Sequence, residues 1–134
     1  MLVGHPSDEP EGVPRTSDRQ PAAVAWMAHA SLLIFPSRGP ESLSRVLIEA
    51  SALGVPIAAM NTGGTPDIVI GEETGLLSAT PDSLAEDVRR LRADEALRRR
   101  LGAAARSRAE SHFDSPAVVA RIERLYLELV ARTR

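Results

Sequence analysis

Apolar residues in this chain alternate between short unbroken runs and longer stripes at helical spacing. Leu32-Leu-Ile-Phe35 is one unbroken run, ended by Pro36, and Pro56-Ile-Ala-Ala-Met60 is a second. Gly75-Leu-Leu-Ser78 is a shorter third. Runs this short, bounded by Pro and Gly, predict buried parallel strands. Between the first two, Leu43, Val46, Leu47, Ala50 and Leu53 recur at three- and four-residue steps. That spacing predicts a helix from about Ser42 to Leu53, with Gly54 placed to end it. Beyond the second strand, Thr65 reads as an N-cap and Pro66 as the first residue of a short helix through Ile70, stopped by Gly71.

A short helix from Pro21 to His29 precedes the first strand, with proline suited to its first turn. Three helices close the chain. Asp82 opens one that runs to about Arg92, and Asp94 caps a second that runs to about His112. Ser115-Pro116 starts the third, which carries Val118, Ile122, Leu125, Tyr126 and Leu129 on one stripe. Strand, helix, strand, helix, strand with short links predicts an α/β fold: a partial Rossmann-like parallel sheet of about three strands, flanking helices and a helical C-terminal tail. Residues 1–20, with Pro6, Pro10 and Pro14 among Ser, Asp, Glu and Arg, read as an irregular arm. Residues 21–134 then form one domain.

Composition narrows the possible chemistry. In 134 residues, 43% are hydrophobic but only 3% aromatic, so the core must be aliphatic. The formal charge of -2 gives no general attraction to nucleic acid or to an anionic membrane. All 16 basic residues are arginine, which excludes a lysine nucleophile, Schiff base or phosphate clamp from this chain. No cysteine is present, which excludes disulfides, thiolate metal sites and a cysteine nucleophile, and fits a cytoplasmic setting. No apolar run approaches the ~18 residues needed to span a bilayer, so any membrane association is peripheral. The three histidines lack metal-ligand spacing, and no metal site is expected. Arg89, Arg90, Arg92, Arg98, Arg99, Arg100, Arg106 and Arg108 are interspersed with acids. Glu86 to Arg90, Asp94 to Arg98 and Glu95 to Arg99 are four-residue pairs, so the run reads as a solvated helix face and not a nucleic-acid surface.

The candidate site lies where strand ends meet helix starts. Ser37 follows the first strand, and Glu41 and Glu49 bracket the predicted helix. Over a continuous helix their spacing would rise about 12 Å and turn roughly 80°. Paired acid/base carboxylates sit about 5–9 Å apart, so two acids at this spacing suit the two ends of one long ligand. A helix starting at a strand's carboxyl end presents free N–H groups and a positive dipole end, which suits a diphosphate. Read alone, both acids serve equally well as solvent-facing helix residues. Gly63 and Gly64 follow the second strand on the same edge, where the lack of a Cβ lets backbone approach a ligand; a tight strand-to-helix turn is their plainer role.

Taken together, these segments resemble the C-terminal, donor-binding part of the family 4 (group 1) retaining GT-B glycosyltransferases. The resemblance is carried by Ala30 through Ser37, Glu41 through Ala50, Ala52 through Ile57, Gly63 through Val69, Thr74 through Leu77 and the tail from Leu97 to Arg106. It spans roughly Pro21 to Leu129. It implies transfer of a sugar, with retention, from a nucleoside-diphosphate sugar such as a UDP- or GDP-sugar to an unidentified acceptor, without a bound metal or other cofactor. Glu41 would contact hydroxyls of the donor sugar as the catalytic residue. The amides of Ser42, Leu43 and Ser44 would meet sugar and diphosphate, with Ser37, Gly63 and Gly64 lining the same donor site. Glu49 would hold the ribose hydroxyls.

Three departures accompany the resemblance. Ser42-Leu43-Ser44 stands where Gly-Phe-Gly is common, and Asp67 where glutamate is usual. The acceptor domain, and a glycine-rich turn with an Arg/Lys pair that grips diphosphate, are not found here. The chain is therefore expected to be truncated and inactive alone. Its edge strand Leu32 to Phe35 and its last helix would want a missing N-terminal domain or a second copy as partner. Two other readings stay open: a non-catalytic nucleotide-binding or interaction module, and a sugar-nucleotide 2-epimerase-like fragment.

Overall fold

The computed structural model describes residues 20–39 and 42–132. The arm expected over 1–20 lies outside these apart from Gln20, and so does Glu41. The elements are α1 (Gln20–Ala28), β1 (Leu33–Phe35), α2 (Arg45–Ala52), β2 (Ile57–Met60), α3 (Thr65–Ile68), β3 (Leu76–Ser78), α4 (Pro81–Ala93), α5 (Glu95–His112) and α6 (Ser115–Arg132). The three strands form one parallel sheet in the order β1-β2-β3, with Leu33 aligned on Ile57 and Ala58 on Leu76. This is the α/β arrangement the alternation of runs and stripes predicts.

The central strand explains the unbroken apolar runs. Ile57, Ala58 and Ala59 are all 0% exposed. Successive strand residues point to opposite faces, and here both faces are covered. Ile57, Ala59 and Leu33 pack with Met27, Leu47, Ala50 and Ile68 from α1, α2 and α3. Ala58, Met60, Leu32 and Leu76 pack with Leu84, Leu91, Leu97 and Leu101 from α4 and α5. A strand buried on both sides has no polar position to alternate with.

The starts of α2 and α4 differ from expectation. Ser44 is extended (φ −89°, ψ 106°), so α2 begins at Arg45 and Ser42 and Leu43 stay outside it. Leu43 accordingly is 55% exposed instead of lying on the buried face. In α4, Thr80 is the N-cap and Asp82 only sits in the first turn. Thr80 and Ser83 form a reciprocal capping box, with Thr80 Oγ1 accepting from Ser83 N at 3.1 Å and Ser83 Oγ accepting from Thr80 N at 3.0 Å. Asp94 does cap α5, accepting from Leu97 N at 2.8 Å.

Gly54 ends α2 as expected. It takes φ +71°, Gly54 N donates to Ser51 O at 2.9 Å, and Val55 N donates to Ala50 O at 2.9 Å. That hydrogen-bond pair is the Schellman arrangement. The same turn receives α5: a Cβ on Gly102 would lie 2.2 Å from Gly54 O. Helix backbone therefore rests directly on the turn.

Most of the arginine run is bound to its own fold. Arg99 pairs with Glu95 as expected, at 2.6 Å. Arg98 does not pair with Asp94. Its Nη1 donates to Leu91 O at 2.6 Å and Arg92 O at 3.0 Å, satisfying carbonyls at the end of α4. Glu86 pairs with Arg89, and Arg90 instead forks onto Glu72 at 2.5 and 2.9 Å. Hydrogen bonds from Arg90 hold the Glu72 carboxyl below the usual carboxylate range. Glu72 has φ 63°, and Arg100 donates to its main-chain oxygen at 3.2 Å. Two arginines thus pin an otherwise exposed turn. Among the described residues, no helix is long and apolar enough to cross a membrane.

Candidate functional site

The carboxyl ends of β1 and β2 emerge side by side because the strands are parallel neighbours. Their loops are joined directly: Thr62 Oγ1 donates to Ser37 O at 3.3 Å, across 25 residues of sequence. Gly63 follows with φ +52°, a conformation that side chains disfavour. Gly64 is then the N-cap of α3 (φ −82°, ψ 6°), with Thr65 and Pro66 already helical. Thr65 is therefore not the cap that its residue type suggests. Ser37 and Thr62, the residue before Gly63, thus meet on one edge of the sheet.

Ser44 is 5% exposed and its side chain makes no capping hydrogen bond with α2. No side chain at that position caps the first-turn N–H groups of α2, where the helix dipole is positive. Ser42 and Leu43, both exposed, lead into that turn. Glu49 lies one turn inside α2, not two, with its side chain 28% exposed. Arg45 pairs with it at 3.4 Å. The extended backbone at Ser44 means that the helix carrying Glu49 reaches back only to Arg45.

Two contributors were not evident in the sequence. Arg108, read as part of a solvated face, reaches back from α5 to the end of α3. Its Nη2 donates to Asp67 O at 2.9 Å and its Nε to Ile68 O at 3.3 Å. It thereby anchors the short helix behind Gly63 and Gly64. Only its position on the same α5 stripe as Ala105 and Ala109 could have marked it as inward-reaching. The second is Thr65, which is 0% exposed and whose Oγ1 has no hydrogen-bond partner. An unpaired buried hydroxyl costs about 1–3 kcal/mol. Thr65→Val keeps the shape and removes the hydroxyl, so stability in urea is expected to stay constant or rise by about 1 kcal/mol. A clear loss would mean the hydroxyl is bonded in solution. Among the described residues, no group of three or more His, Cys, Asp or Glu could hold a metal ion.

An open parallel α/β protein with the loops after β1 and β2 joined at the strand carboxyl ends is the class that this fold and site define. The chain belongs to the glycosyl transferases group 1 family, whose model matches residues 15–108. It is 42% identical over 108 residues to an exopolysaccharide phosphotransferase of Streptomyces coelicolor, covering 78% of this chain and 11% of that protein. It is 32% identical over 105 residues to a capsular polysaccharide biosynthesis glycosyltransferase of Staphylococcus aureus, covering 77% of this chain and 27% of the relative. In three dimensions it is similar to sucrose-phosphate synthase from Thermosynechococcus elongatus, with TM-score 0.73 and 35% identity over 83% of this chain and 28% of that one. It is also similar to an Anabaena protein, HepE, solved with UDP-glucose: TM-score 0.67 and 25% identity, over 81% of this chain and 30% of that one. The transferase family expected from the sequence is the one found. The chain spans about a tenth to a quarter of the length of the two named curated relatives.

Proposed function

We propose that this chain is the donor-binding part of a retaining glycosyltransferase that moves a sugar from a nucleoside diphosphate to an acceptor. The observation that carries the reading is the junction of the two strand-end loops. Thr62 bonds the main chain at Ser37, which ties the loop before the Gly63–Gly64 turn to the loop that leads into α2, a helix start that Ser44 does not cap. UDP-glucose binding by the Anabaena relative supports a nucleotide-sugar as the ligand.

In this reading the diphosphate sits at the start of α2. The amides of Ser42, Leu43 and Ser44, with the helix dipole, offset its charge as it departs, in place of a metal ion. Glu41 contacts the donor-sugar hydroxyls, and Glu49 binds the ribose. Gly63 and Gly64 admit the sugar because no side chain intrudes. The acceptor attacks from the face that the diphosphate vacates, which retains the anomeric configuration. Acceptor site and diphosphate clamp come from polypeptide outside these residues, in the cytoplasm where nucleotide-sugars are at hand.

Calorimetric titration with UDP and GDP tests the binding half of this reading. Saturable binding of at least one, without acceptor-dependent sugar transfer by the 134-residue chain, is the expected outcome. Absence of heat with every nucleoside diphosphate would reject donor binding, and transfer by the chain alone would reject its dependence on further polypeptide.

A further inference from the structure

The first residue of α2 is an arginine in an electrostatically disfavoured place. Arg45 opens the helix directly after Ser44. The helix dipole is positive there, so a cation is repelled and an acid is favoured. α3, α4 and α5 follow that preference, with Asp67, Asp82 and Glu95 in their first turns. The first turn of α2 holds no acid.

Two further features set this helix start apart. Ser44 is 5% exposed, yet its hydroxyl caps no amide of α2 and has no hydrogen-bond partner among the described residues. Arg45 is also loosely held. Its Nη2 lies 3.4 Å from Glu49 Oε1, and its side chain is 72% exposed. Charge-assisted contacts of this kind favour about 2.7–2.9 Å, and the pairs Glu95–Arg99 and Arg106–Glu110 close to 2.6 and 2.9 Å. A negatively charged ligand accounts for a cation kept slack where the helix itself disfavours one.

We propose that Arg45 is a diphosphate-binding residue that exchanges partners. It rests on Glu49 in the unliganded chain and turns to the diphosphate when the ribose takes Glu49. This inference rests on the donor-site reading above, and adds to it a cation supplied by this chain. Helical side chains lean toward the N-terminus, so Arg45 can extend over the start of α2, beside the Ser44 hydroxyl. Glu49, four residues on, shares its face. A ligand with its ribose at Glu49 and its phosphates at the helix start must therefore pass Arg45. A diphosphate carries more charge than one carboxylate and offers paired oxygens that the guanidinium fork matches, so it displaces Glu49. The resting ion pair meanwhile keeps the guanidinium close to where the ligand enters.

A charge series at position 45 is the test, read by calorimetric titration of the whole chain with UDP and GDP. Arg45→Ala is expected to weaken the tighter-binding nucleotide about tenfold, the loss of one charge-assisted contact. Arg45→Lys should fall between the two, keeping the charge but not the fork, and Arg45→Glu should be weakest. Without ligand, the thermal midpoint of Arg45→Ala should hold or rise, because a disfavoured cation has left the helix start. Tighter binding by Arg45→Ala would mean that the arginine only obstructs Glu49. Unchanged affinity would mean that it touches no ligand. Either result overturns the proposal and leaves donor binding intact. A loss of affinity that tracks a lowered midpoint would overturn it too, by assigning Arg45 to the fold. No binding of either nucleotide by the unaltered chain would overturn the proposal together with the donor reading.

Discussion

Gly102→Ala is expected to lower the melting temperature by about 5–10 °C, corresponding to a loss of roughly 2 kcal/mol for a chain of this size. The direction is opposite to the intrinsic preference, since Ala is favoured over Gly inside a helix by about 1 kcal/mol. Geometry decides the sign. The new methyl would lie 2.2 Å from Gly54 O and 3.1 Å from its carbonyl carbon, both main-chain atoms that no rotamer change can move. Gly54 is itself held by the two hydrogen bonds that end α2, so α5 must shift. Gly39→Ala provides the control, because nothing lies within 4 Å of that position. A stability gain on Gly102→Ala, read by thermal or urea unfolding, would show that α5 does not dock backbone-to-backbone.

Glu49→Ala is expected to weaken nucleoside diphosphate binding about 10- to 100-fold, the effect of losing hydrogen bonds to a charged group. The fold should persist, since the side chain is partly exposed and Ala suits a helix. A 2′-deoxy nucleotide supplies the specificity control. The unaltered chain should bind it more weakly than the ribonucleotide, and the variant should bind both alike. Calorimetry showing equal ribonucleotide affinity in the two proteins would remove Glu49 from the ribose role.

The strands and the buried helix stripes were legible because local sequence determines them. Leu32 to Phe35 and Pro56 to Met60 are too short and too uniformly apolar for anything but covered strands, and both are found where expected. Helix starts were less legible because several residues compete for the same role. Ser42, Ser44, Thr65 and Asp82 all suit a cap or a first turn, and backbone angles set by the preceding loop choose among them. The arginines were the least legible. Four-residue spacing identified Arg99 with Glu95, but Arg90, Arg98, Arg100 and Arg108 find partners supplied by chain folding. The sheet edge of the candidate site followed from topology alone, whereas the Thr62 to Ser37 bond depends on the register of β1 against β2.

Arg108 bears on how such a lobe can move. From one helix, α5 grips the turn after α2 through Gly102 and the end of α3 through Arg108. The acid on α2 and the paired glycines before α3 are thereby yoked to a common strut. If the crevice narrows around a ligand, these two walls travel together as one jaw, and the bending must occur in chain that α5 does not clasp.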